Sequence, residues 1–94
     1  MDNLDIKKKI LSLIERANKL KINVESDKIR ADVLGSMFND FMNKPDKEDY
    51  IIEMTENLIA RDKIHERLTK NLTELRKIKE RVEYLKLLVI VECN

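Results

Sequence analysis

The sequence predicts an all-α protein, an antiparallel helical bundle of two or three helices that ends in a long, coiled-coil-like C-terminal helix. Three observations predict it. Ninety-four residues hold one Gly and one Pro, too few turn residues for a many-stranded sheet. Aromatic residues make up only 4%, which leaves little of what strands prefer. Apolar residues recur at steps of three and four along most of the chain, the spacing of one helix face.

The first expected helix covers residues 4–22. Ile6, Ile10, Leu13, Ala17 and Leu20 form its apolar stripe, which Leu11 and Ile14 widen. Asp5 near its start suits the positive end of the helix dipole, whereas Lys7, Lys8 and Lys9 oppose it.

A break is expected over residues 22–26. Asn23 and Ser26 are good N-cap residues, and Asp27 suits a first turn. The second helix then spans residues 26–43, with Ile29, Val33, Leu34, Met37, Phe38, Phe41 and Met42 as a broad apolar face. Met37, Phe38, Phe41 and Met42 are read as core rather than as a Met-rich docking surface. There is an alternative. The three-four stripe runs on through Val24, Asp27, Ala31, Leu34, Phe38 and Phe41 with one violation, Asp27, so residues 5–43 could also form one helix. Gly35 costs a helix about 1 kcal/mol relative to Ala, and a close helix–helix approach is the expected reason for it, with a local kink as the alternative.

Asn43-Lys-Pro-Asp46 is the clear punctuation mark. Pro45 has no amide hydrogen and disfavours helical geometry at Lys44. Asp46 is expected to cap the next helix, with Asp49 three residues on in a near capping box. That third helix spans residues 47–91 without Gly or Pro, and Ile51, Met54, Leu58, Ile64, Leu68, Leu72, Leu75, Ile78, Val82, Leu85 and Val89 follow helical steps along it. The whole chain is read as one helical domain, 1–94, with helices at about 4–22, 26–43 and 47–91.

Length then points to a partner. A helix of about 45 residues is roughly 65 Å long, and each of two shorter helices reaches only roughly 27 Å. Stacked on the first half, they leave the second half bare. The expected partner interface is therefore Leu68, Leu72, Leu75, Ile78, Val82, Leu85, Leu88 and Val89, extended by the all-round apolar run 87–91. Charge bears on the topology. Residues 1–22 and 67–94 each carry a net +3, residues 23–43 carry −2 and residues 44–66 carry −3. Three helices would set the first +3 beside −3, whereas a two-helix hairpin would bring the two +3 ends together. The three-helix arrangement is preferred on that ground.

Several functions find no support in the residues. His65 is the single histidine, with Asp62 one turn before it, and helical di-metal sites need two such pairs and further Glu ligands. One Cys and one His cannot make a zinc ligand set, and one Gly cannot make a phosphate loop. Cys93 has no activating neighbour in sequence. No catalytic residue, metal or other cofactor is expected. Lys7, Lys8, Lys9, Arg76, Lys77, Lys79 and Arg81 could face anions, but net charge is only +1 and Glu74, Glu80 and Glu83 alternate with the second group. No stretch is apolar enough to span a membrane. A lone Cys and a charged N-terminus suggest a reducing, cytoplasmic setting.

The expected function is that of a non-enzymatic structural or adaptor protein, which assembles as a homo-oligomer or hetero-helical complex through its C-terminal helix. The alternative is a small regulator or inhibitor of the kind phages and mobile elements encode, one that occludes a target protein. A nucleic-acid-binding accessory protein ranks third.

Overall fold

A computed structural model of the protein describes the backbone of residues 2–93 and the side chains of residues 2–89. The fold is all-α. Helix α1 (Asn3–Met42) is followed by a short 3-10 turn (Lys47–Tyr50) that leads directly into helix α2 (Ile51–Cys93), with no strand among the described residues.

Asp2 caps the start of helix α1. Its carboxylate accepts a hydrogen bond from the Asp5 amide at 2.9 Å and its carbonyl one from the Ile6 amide at 3.2 Å, so two of the amides a helix start leaves unpaired are satisfied. The helix then runs unbroken through residues 22–26, and the expected division into helices 4–22 and 26–43 does not occur. The alternative reading of the stripe describes the chain instead. Asn23 and Ser26 have capping side chains, but stopping there would expose the stripe that continues beyond them. Asp27, its one violation, faces inward with its charge paired, and so the pattern is not interrupted.

Pro45 ends α1 as expected. The Asn43 amide still donates to the Asn39 carbonyl at 3.1 Å, and the Lys44 amide tightens onto Phe41 at 3.2 Å. Asp46, however, does not cap with its side chain. The Asp49 amide, which a capping box would leave to the carboxylate, bonds at 2.9 Å to the Asp46 carbonyl and closes a 3-10 turn. Lys44 folds over this turn. Its ammonium lies 4.4 Å from the Tyr50 ring centroid and 5.8 Å from that of Phe41, and the two rings lie 5.4 Å apart, tilted by 30°.

The chain forms two compact units. The first unit, Met1–Asn23 with Asn71–Asn94, joins the beginning of α1 to the end of α2. Ile6, Ile78, Val82 and Leu85 are buried in it, and Ile10, Leu13, Ala17, Leu20, Asn71 and Leu75 are half-buried. The inward positions thus alternate steps of four and three on both helices, the periodicity of a two-helix seam.

The second unit, Val24–Lys70, contains the turn. Its inward positions are Val24, Asp27, Ala31, Leu34, Phe38 and Phe41 on α1, and Met54, Asn57, Arg61, Ile64 and Leu68 on α2. Side-chain pairs across this seam run in opposite sequence order. Asp27 meets Arg67, the Asn57 amide donates to the Leu34 carbonyl at 2.9 Å, Arg61 lies 5.9 Å from the Phe38 ring, and Phe41 meets Tyr50.

Candidate partner-binding surface

The expected partner stripe divides three ways. Ile78, Val82 and Leu85 are 6%, 7% and 2% exposed, buried by the chain itself in the first unit. Leu68, Leu75, Leu88 and Val89 are half-buried. Only Leu72 is open, at 46%. The stripe is therefore not bare, because α1 is a single 40-residue helix whose first residues join the end of α2 in one unit, where two helices of half that length would have stopped short. Of the apolar run 87–91, the side chains of Ile90 and Val91 lie outside the described residues, as does that of Cys93.

Most of the exposed apolar residues lie outside that stripe. Ile51 and Leu58, which follow the helical steps with Met54 and Ile64, are exposed, as is Leu72 of the expected partner stripe; Asn57, Arg61 and Asn71 take the inward positions. These polar residues hold the strict alternation of threes and fours with Met54, Ile64, Leu68 and Leu75. Two of them have a use for their polarity: Asn57 bonds the Leu34 carbonyl, and Arg61 stacks near Phe38. Composition hid the seam here, since an apolar neighbour one step away is the more conspicuous choice. Met37 and Met42, read as core, are each 44% exposed, and Ile29 and Val33 are more so; Phe38 and Phe41 are half-buried.

Among the described residues, six large apolar side chains are buried and fifteen are exposed. Single exposed apolar residues are ordinary, but grouped ones mark an interaction surface. Ile51, Ile52, Leu58 and Ile59 are so grouped. They recur after seven residues in adjacent pairs, which sets them along one face of α2.

A groove of about 520 Å³ opens in the first unit. Ile14, Ala17, Leu75, Ile78 and Val82 supply its apolar surface; Lys21, Arg76 and Lys79 stand at it against one acid, Glu83. Ala17 explains the opening, because an inward seam position that carries only a methyl group leaves the side chains opposite partly uncovered.

Asp27 and Arg67 form a charged contact between the two helices of the second unit. Arg67 Nη2 donates to Oδ1 at 2.9 Å and Nε to Oδ2 at 3.2 Å, a two-point grip on a carboxylate 5% exposed. These hydrogen bonds hold the Asp27 carboxyl below its ordinary range; burial works against them, and the charges of Arg67 and Arg30 add to them. The same bonds raise Arg67 further above neutrality. Asp27 was visible in sequence as a stripe violation, but Arg67, forty residues away, gave no signal.

The expected anion-facing residues Lys7, Lys8, Lys9, Lys77, Lys79 and Arg81 are all exposed and all belong to the first unit. Lys79 lines the groove, while Arg81 lies 5.3 Å from the Tyr84 ring. The first unit thus contains both basic ends of the sequence, the arrangement that the three-helix preference had counted against. His65 and Asp62 are exposed, and no group of three or more His, Cys, Asp or Glu among the described residues could hold a metal ion. Nor is any helix among them long and apolar enough to cross a membrane. No family model, no curated protein and no solved structure matches this chain.

Proposed function

We propose that this chain is a non-enzymatic helical assembly protein. In this reading its two helices form an antiparallel coiled-coil hairpin, and the hairpin docks further helices on its outward apolar residues. The C-terminal helix α2 still carries the contact, but through Ile51, Ile52, Leu58 and Ile59 rather than through the stripe 68–89. The observation that carries the proposal is the excess of fifteen exposed over six buried large apolar side chains. Two helices have only one seam between them, and a bundle of four buries the faces that a pair leaves out. A regulator that occludes a target is the second reading, favoured by the groove, which is open in the isolated chain.

Mass in solution tests the proposal. Sedimentation equilibrium of the purified chain, together with size measurement from native lysate, is expected to give more than one chain's mass in at least one of the two. A single-chain mass of about 11.2 kDa in both would overturn the assembly reading.

A further inference from the structure

We propose that the groove of the first unit receives the acidic, apolar start of α2 from a second copy of this chain, and that two such contacts close a twofold dimer. This rests on the assembly reading above and names its partner.

The groove sets the requirement. Its floor is apolar and its rim holds three basic groups to one acidic. An occupant must bring an apolar ridge flanked by carboxylates. A water-filled small-molecule site is the weaker fit, because no buried polar side chain converges on the floor to orient a ligand.

The chain itself contains such a ridge. Ile51, Ile52, Leu58 and Ile59 are 59%, 71%, 44% and 53% exposed. Over residues 46–62 they stand among Asp46, Glu48, Asp49, Glu53, Glu56 and Asp62, with only Lys47 and Arg61 of opposite sign. Glu56, four residues after Ile52 and three before Ile59, and Asp62, four after Leu58 and three after Ile59, are exposed on the ridge's own face beside one base, Lys63, and are placed to meet Lys21, Arg76 or Lys79 once the isoleucines are seated.

The charge of whole units agrees. Residues 1–23 with 71–94 contain eleven basic and seven acidic groups, a net +4; residues 24–70 contain eight and eleven, a net −3. Each ridge therefore belongs to an acidic unit and each groove to a basic one. Complementary charge of this kind selects partner and register and speeds encounter, while seated isoleucines supply most of the affinity. Closed twofold pairing is the commonest form of self-association, and it uses the same contact twice.

Charge reversal tests the contact in the full chain. Arg76→Glu with Lys79→Glu gives an acidic groove; Glu56→Lys with Asp62→Lys gives a basic ridge. Either double variant alone is expected to dimerise at least tenfold more weakly than the unaltered chain by sedimentation velocity. Mixed one to one, they restore both contacts and are expected to recover the two-chain mass. Ile52→Glu, at a site too exposed to disturb folding, is expected to weaken dimerisation at least tenfold with unchanged helical circular dichroism.

The failures are distinguishable. A dimer indifferent to all these changes uses another surface, which overturns this inference and leaves the assembly reading standing. A chain that is monomeric at 100 μM, yet recovered from lysate in a complex with a different protein, does the same. A monomer with no complex in either setting overturns both.

Discussion

The two units solve the same packing problem with different chemistry. In the first, the buried positions are aliphatic: Ile6, Ile78, Val82 and Leu85. In the second, two of the four buried side chains are polar, Asp27 and Asn57, beside Val24 and Ile64. Aliphatic contacts are strong but indifferent to register, since a shift of one heptad replaces one branched side chain by another. A bidentate Arg67–Asp27 pair and an Asn57 bond to one carbonyl are satisfied in one alignment only. The first unit is therefore expected to contribute most to stability, and the second to set which residues face which. Buried polar residues between helices are attested in that role in other proteins.

Three substitutions would break or sharpen this contrast. The largest effect belongs to Leu85→Ala, which removes the most deeply buried leucine of the first unit and should cost about 2–5 kcal/mol. Urea unfolding monitored by circular dichroism reads this as a lower midpoint. A loss under 1 kcal/mol would mean that the aliphatic unit is not the source of stability.

A smaller effect follows from Asp27. Its folded carboxyl titrates below its unfolded value, so the stability it contributes is present in full above the unfolded value of about 3.9 and is lost as pH falls from there through the folded one. Urea midpoints measured from pH 6 downward should fall less steeply for Asp27→Asn than for the unaltered chain. Equal slopes would show that the Arg67 grip is not made in solution.

The smallest effect, and the only gain, belongs to Gly35→Ala. Gly35 was expected to mark a close approach of helices, but an added Cβ would meet only Arg61 Nη2 at 3.9 Å, an ordinary contact. Helix propensity alone then predicts about 0.5–1 kcal/mol of stabilisation, seen as a higher melting temperature. A loss instead would show another helix lying against that point.

Much of the fold was legible in the residues and much of the surface was not. Pro45 and its neighbours placed the turn, because a missing amide hydrogen acts locally whatever surrounds it. The alternation from Ile6 to Leu20 and from Leu75 to Leu85 was visible as two helical stripes, but the second was read as a partner interface, and only the structure puts both in one unit. Residues 22–26 misled, since capping side chains announce a helix start only when the chain before them stops. The second unit misled further. Ile51 and Leu58 follow the helical steps, yet Asn57 and Arg61 face inward, and only the other helix, through the Leu34 carbonyl and the Phe38 ring, makes that choice sensible.

Sequence alone determined that this chain is helical, that it turns near Pro45 and that it has more apolar surface than short helices can hide. Those properties depend on propensity, a missing donor and composition, which are local or additive. Tertiary structure decided that α1 is one helix, that its first residues join the end of α2, and that Ile51, Ile52, Leu58 and Ile59 are left outside. Those outcomes depend on which positions on two helices satisfy each other, and a buried Asp is tolerable only where an Arg from forty residues away grips it.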